Sequence, residues 1–350
     1  MKIYFLVATQ HDNLGDLLIN KMLINEISKY GTVYVDAAGV PDSFKKNLIS
    51  KTNVKDFESE YGGSLKRVSG YKLLSVVKSE FDYYFKSPGP SGGMGYDYKS
   101  IIRTVVLAYQ FNYLSKGKMK LNLVGNDIII RTKLDSWFQK NTNGAFQNYM
   151  VRSTVNRDDL LSKGYKNTSF IPDMAFLFKP EEISEIKNTV LLSFRDLKNQ
   201  KYTDELLVYL QYCIDKFTKE GLEIIFFHQV ESDKAFNKFL YESLSGKTSI
   251  IEDCIKYNEI GKVYKDAKYA ISNRLHVFLL GMRHEAIPLA YLNSDAKTSK
   301  ISNIVKTFDL NENLINIESI NLDEEKIRIQ IRKINENQSL DCINKISNLF

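Results

Sequence analysis

Ser272-Asn-Arg-Leu-His-Val-Phe-Leu-Leu-Gly-Met-Arg-His-Glu-Ala-Ile-Pro288 is the stretch that decides how this chain is read. The apolar Tyr269-Ala270-Ile271 just before it predicts a strand that runs directly into Arg274 and His276. Val277, Leu279, Leu280 and Met282 then carry a helical apolar pattern, and Ala286–Ala290 opens another strand. Strand, polar turn, helix and strand form the repeating unit of an open α/β sheet, which binds ligands at the carboxyl ends of its strands. At such an end Arg274 can hold an anion and His276 can move a proton near neutral pH. A core histidine beside a surface arginine is the plainer reading of the same pair.

The same alternation extends outward from this unit. Strands are expected at Lys2–Ala8, Thr32–Val35, Lys120–Val124 and Tyr149–Arg152. Helices are expected at Leu17–Ser28, Tyr71–Lys78, Lys99–Tyr113, Leu134–Lys140 and Arg157–Lys163. A second series has strands Thr189–Ser193 and Glu223–Phe227 with helices Thr203–Lys219, Asp233–Ser243, Tyr257–Lys265 and Arg274–Met282. Lys179-Pro180-Glu181-Glu182, charged and broken by proline, separates the two series. The expected fold class is therefore α/β, with two doubly wound, Rossmann-like domains facing a cleft. Residues 1–180 form the first domain and residues 187–312 the second. Residues 313–350, with Ile327, Ile331, Ile334, Ile343 and Ile346 in a charged background, read as a helical tail packing back across the junction. Ser87–Gly95 is too rich in glycine and proline to be read as regular structure.

Composition narrows the function. Among 350 residues, 43% are apolar and 26% charged, which is globular and not disordered. The net charge of +6 is dispersed, which argues against dedicated nucleic-acid binding. It leaves small anionic ligands, or a weak association with the inner membrane surface. Cys213, Cys254 and Cys342 lie far apart with no CxxC, so neither a disulfide framework nor a metal centre is expected. Met1–Ala8 is too short an apolar run for a signal peptide, and nothing approaches the roughly 18 apolar residues of a membrane span. A cytoplasmic protein, peripheral at the membrane if it meets one, is the expectation.

Four loops at expected strand ends can carry chemistry. His11-Asp12-Asn13-Leu14-Gly15-Asp16 follows the first strand, where Gly15 permits close backbone approach and a helix N-terminus offers free N–H groups. Asp16 is either a functional carboxylate or an N-cap. Gly92-Gly93-Met94-Gly95 lacks the lysine of a Walker motif, and a plain turn is its alternative. Arg152 ends a strand and offers a planar fork to a carboxylate or phosphate, or else a structural salt bridge; Asp173 is a ligand-side carboxylate or a turn residue. Arg195 follows the strand Thr189–Ser193. His228 ends another, His11 lies in the first loop, and His284, between Arg283 and Glu285, is expected to be solvated.

Taken together these motifs resemble the polysaccharide pyruvyl transferase family. The resemblance rests on Asn13-Leu-Gly-Asp16, Gly92-Gly93-Met94-Gly95, Val151-Arg152 with Leu160–Gly164, and Asp173-Met-Ala-Phe176. It continues through Arg195, Asn273-Arg-Leu-His276, Pro288 and Tyr291–Lys297, in the family's order over about residues 1 to 305. Ser153 and Asn156 stand where the family commonly has an acidic residue and a serine, Met174 where it has proline, and Pro88 and Pro90 precede the glycine loop.

The resemblance implies a fold like the two-domain GT-B glycosyltransferases. It also implies transfer of pyruvate from phosphoenolpyruvate onto two hydroxyls of a sugar in a capsule or exopolysaccharide precursor, giving a cyclic ketal and phosphate. His276 is then the acid that protonates the enol, with Asp16 or Asp173 orienting or deprotonating an acceptor hydroxyl. Arg274, Arg195, Arg152, Lys297 and His228 would hold the donor, largely in the second domain. His11, Asn13, Gly15, Gly92 and Gly93 would meet a saccharide acceptor, lipid-linked or free, in the first. The scheme needs no metal and no other cofactor. Two rivals stand beside it: a nucleotide-sugar glycosyltransferase on the same frame, and an inactive saccharide-binding relative in a polymer-assembly complex.

Overall fold

The computed structural model describes residues 1–67, 72–93, 97–292, 299–310, 314–316 and 322–350. Its contacts divide the chain into two compact units. One comprises Met1–His11, Asp16–Leu177 and Leu340–Phe350; the other comprises Asp12–Gly15 and Phe178–Ser339.

The first unit holds strands β1 (Lys2–Leu6), β2 (Thr32–Asp36), β3 (Val54–Asp56), β4 (Tyr83–Lys86), β5 (Gly89–Gly92), β6 (Lys120–Ile129), β7 (Asn148–Val151) and β8 (Thr168–Phe170). They form one sheet in the order β3-β2-β1-β4-β6-β7-β8, with β5 paired to β6 and every pairing parallel. Parallel strands are covered on both faces, which is why Ile3, Tyr4, Phe5 and Leu6 are all buried in succession instead of alternating. Tyr4 anchors the core on one face, edge-on to Phe57 and Phe81 and stacked on Tyr84.

β5 corrects the expectation that Ser87–Gly95 lacks regular structure. Gly125, at φ 74°, shifts the register of β6 between Val124 and Asn126, and Gly89–Gly92 pairs with Asn126–Ile129 beyond that kink. β5 pairs on one side only, the edge position in which Pro90's missing N–H is tolerated. Met94 and Gly95 of the expected glycine loop lie outside the described residues.

The second unit holds β9 (Thr189–Ser193), β10 (Glu223–Phe226), β11 (Thr248–Ile250), β12 (Ala267–Ser272) and β13 (Ile287–Ala290). Their order is β11-β10-β9-β12-β13, again all parallel. In each sheet the chain reverses direction of growth once, between β1 and β4 and between β9 and β12. Those two places are the topological switch points, where open α/β sheets gather ligands.

The helix expected at Arg274–Met282 runs over Leu275–Arg283. Gly281 seats it on the sheet: a Cβ there would come within 2.7 Å of the Ala270 Cβ on β12. The tail is a single helix, Glu324–Ser347, whose residues through Ser339 belong to the second unit and whose remainder belongs to the first. In the second unit Arg332 pairs with Glu285 at 2.6 Å and Asn335 donates to the Met282 carbonyl at 2.7 Å. In the first, Phe350 stacks on Tyr30 at 4.4 Å. Among the described residues, no helix is long and apolar enough to cross a membrane.

Candidate active site

In the second unit two asparagines hold the backbone where β9 and β12 end. Asn273 accepts the Arg195 N–H at 2.7 Å and donates to the Arg195 carbonyl at 2.8 Å. Asn237 does the same for Phe194, at 2.8 Å in both directions. Ser272 adds a short hydrogen bond to the Ser193 carbonyl and accepts the Arg274 N–H at 2.8 Å. The strand ends that carry Arg195 and Arg274 are therefore rigid before any ligand arrives.

Arg274 presents its fork to Asp233, with Nε–Oδ2 at 2.7 Å and Nη2–Oδ1 at 2.5 Å. Burial pushes the Asp233 carboxyl above its usual range, and Arg274 and then Arg195 offset part of that. Arg195 is exposed and shares with Asp233, Asn199 and Thr203 the lining of a cavity of about 750 Å³. Since Asp233 occupies two of Arg274's nitrogens, Nη1 is the part of the fork left to meet an anion from this edge.

His276 sits in the first turn of the helix Leu275–Arg283, half-buried, and the Gly15 backbone lies against its ring. A Cβ on Gly15 would stand 2.0 Å from the His276 Nδ1 and 2.7 Å from its Cβ. Glycine is required here for space, because the first loop docks on this edge. Leu14 N–H donates to the Gln229 carbonyl at 3.0 Å, and Asn13 bridges Val230. The Asn13 side chain accepts the Gly15 N–H at 3.0 Å, so it caps the helix that begins at Leu14. Asn13 and Gly15, expected on the acceptor side in the first domain, thus belong to the second unit, where Gly15 lies against His276.

The first unit's carboxyl edge is built differently. Asp16 is buried and accepts the Thr9 hydroxyl at 2.7 Å and the Gln10 N–H at 3.1 Å, holding the loop after β1. His11 packs edge-on to Phe44. Gly92, at φ 85°, and Gly93, at φ 73°, border a cavity of about 340 Å³ that is also lined by Lys86, Ser91, Arg103 and Gln139. Gly92 could not carry a side chain, since its Cβ would lie 2.6 Å from the Ile129 carbonyl oxygen. Burial, and then Arg103, depress the Lys86 ammonium to about 8. Lys86 was missed from the sequence because the aromatic run Tyr83-Tyr84-Phe85 was not read as a strand whose end would carry it.

Two placements correct the sequence reading. Arg152 is 2% exposed and held between Asp127, at 2.8 Å and 2.5 Å, and Asp173, at 2.8 Å. Burial opposes its charge, but the two carboxylates outweigh that and raise its affinity for the proton. An arginine enclosed in this way is a structural ion pair and has no fork to offer a donor, and Asp173, 1% exposed, is its counter-ion. Asp173 also accepts the Ala175 N–H at 2.9 Å. His284 is not solvated: it is fully buried, stacked on Tyr264 at 5.3 Å, with Nδ1 2.9 Å from the Leu280 carbonyl. Burial lowers it to about 4. Two of the departures from the family pattern have local roles: Ser153 caps the helix Thr154–Ser162, and Asn156 bonds both backbone groups of Ile128. His228 is buried at the end of β10, and Lys297 and the rest of 293–298 lie outside the described residues.

Two parallel sheets with Rossmann-like strand orders define a fold of the GT-B type. UDP-GlcNAc 2-epimerase from Methanocaldococcus jannaschii is similar over 100% of this chain and 99% of its own, with a TM-score of 0.58 at 12% identity. UDP-GlcNAc 2-epimerase from Neisseria meningitidis gives 0.57 at 13% identity, over 99% of each chain. MurG from Acinetobacter baumannii gives 0.53 at 9% identity, also over 99% of each. No curated protein sequence matches the chain. The model of one family, described as polysaccharide pyruvyl transferase, matches residues 13–293, and the chain belongs to that family.

Proposed function

We propose that this protein transfers pyruvate from phosphoenolpyruvate to two hydroxyls of a sugar in a capsule or exopolysaccharide precursor, forming a cyclic ketal and releasing phosphate. The observation that carries the reading is the His276 ring packed against Gly15 beside Arg274 and Arg195, within a chain of this family. Protonation of C3 of the enol by His276 leaves C2 electron-poor, one sugar hydroxyl adds there, and a second displaces phosphate. The donor's carboxylate and phosphate are met by Arg195, by Nη1 of Arg274, and by the N–H groups that open the helix Leu275–Arg283. Lys297 stays in the proposed donor set. Arg152 leaves it, and Asp173 leaves the catalytic set, because each satisfies the other.

The acceptor is assigned to the first unit, where Lys86, Arg103, Gly92 and Gly93 border one cavity. Its cationic lining suits a sugar carrying a phosphate or diphosphate, as a lipid-linked precursor does. Asp16 keeps the loop after β1 in place and is the nearest carboxylate to that loop's hydroxyl and N–H groups. Work at the cytoplasmic face of a membrane fits such an acceptor. Thermal shift tests the donor assignment: phosphoenolpyruvate should stabilise the protein and UDP- and GDP-sugars should not. Stabilisation by a nucleotide sugar alone would replace this reading with glycosyl transfer.

A further inference from the structure

His228 follows β10 by two residues and is 1% exposed, yet neither of its ring nitrogens has a hydrogen-bond partner within the protein. Buried polar atoms are nearly always paired, so two on one ring need a reason. The ring has neighbours of a particular kind. A His228 nitrogen, a Glu231 carboxylate oxygen and the Cys254 Sγ lie within 4.8 Å of one another, the one such cluster among the described residues. Two of the three are accessible, Glu231 being exposed and Cys254 half-buried.

We propose that His228, Glu231 and Cys254 bind a divalent metal ion of the zinc class. Imidazole nitrogen, thiolate and carboxylate are zinc's ordinary ligands, and three protein ligands leave a fourth tetrahedral position open to water or an anionic oxygen. Closing the shell brings the ligand atoms to about 3.3–3.7 Å from one another, given metal–ligand bonds of about 2.0–2.3 Å. That is roughly 1 Å closer than their present limit, within reach of rotations of the Glu231 and Cys254 side chains. A bound dication takes the sulfur as thiolate. Ile255 N–H donates to the His228 carbonyl at 3.2 Å, so the segments carrying His228 and Cys254 are already joined. The site adjoins Asp233, the partner of Arg274, and its metal chemistry goes beyond pyruvyl transfer.

Full-length protein stripped with a chelator, reloaded with Zn²⁺ or Co²⁺ and desalted should retain about one ion per chain by elemental analysis. The cobalt form should show a thiolate-to-metal charge-transfer band. Cys254→Ser should abolish that band, and His228→Ala and Glu231→Gln should weaken binding by at least ~100-fold and ~10-fold respectively. Should His228→Ala fail to fold, the two accessible positions still decide the matter. Absence of retained metal, or a band that survives Cys254→Ser, overturns the proposal. So does a His228→Ala protein that holds metal like the parent but no longer binds phosphoenolpyruvate, which would hand the histidine to the donor.

Discussion

Gly15→Ala is the sharpest perturbation of the proposed site, because the added methyl group has one place to go. It would sit 2.0 Å from the His276 Nδ1, 2.4 Å from Cγ and 2.7 Å from Cβ. Ordinary carbon contacts begin near ~3.5 Å, so the overlap runs from about 0.8 Å at Cβ to about 1.5 Å at Nδ1. Rotation about χ1 moves the ring but leaves the Cβ contact, so the start of the helix must shift or the first loop must lift. Overpacking of this kind costs about 1–3 kcal/mol. The ring of His276 leaves its position in either case, and loss of a general acid lowers turnover by about 10²–10⁴. We expect Gly15→Ala to match His276→Ala in lost turnover while phosphoenolpyruvate affinity stays within about tenfold. In urea unfolding, the double variant Gly15→Ala/His276→Ala should recover at least ~0.5 kcal/mol relative to the sum of the singles, the coupling expected of residues in contact. A Gly15→Ala protein with parental stability and turnover would refute both the packing argument and the role given to His276.

Three further outcomes follow from the same structure. Arg152→Ala leaves Asp127 and Asp173 buried without their cation and should destabilise the protein by about 3–5 kcal/mol, read by chemical unfolding; near-parental stability would restore Arg152 to a ligand-binding role. His284 is held at about 4 against an ordinary value of 6.5, so the unfolded chain binds the extra proton between those values. Its contribution is therefore complete above pH ~6.5 and falls by about 3 kcal/mol as pH drops to ~4; His284→Phe should flatten that part of the stability profile. Lys86, with its ammonium at about 8, should hold an anionic acceptor below that pH and release it above, so the acceptor KM rises from pH ~7 to ~9. Lys86→Arg should remove the dependence, and an unchanged slope would place the acceptor elsewhere.

What was legible in the sequence follows from what each signal depends on. Thr189–Ser193 and the strand–turn–helix around His276 were readable because buried parallel strands are continuous apolar runs and the helix kept its period. β5 was not readable: its prolines and glycines speak against a strand, and only the kink at Gly125 gives it a partner. β3 and β11, three residues each, are too short to show periodicity. For the site, the positions of His276, Gly15, Arg195 and Arg274 could be inferred from strand ends alone. Pairing could not: that Arg152 faces Asp127 and Asp173, and Arg274 faces Asp233, depends on residues 21 to 41 positions apart. His284, flanked by charged neighbours, looked like a turn residue, yet its side chain turns inward onto Tyr264.

The central claim is pyruvyl transfer from phosphoenolpyruvate. It is tested most directly by incubating the purified protein with phosphoenolpyruvate and a panel of diphosphate-linked and free glycans, following phosphate release and product mass together. The account predicts phosphate release that requires both substrates, a glycan mass gain matching one pyruvyl ketal, and loss of both signals in His276→Ala. Phosphate release without the mass gain, or full activity in His276→Ala, would contradict it.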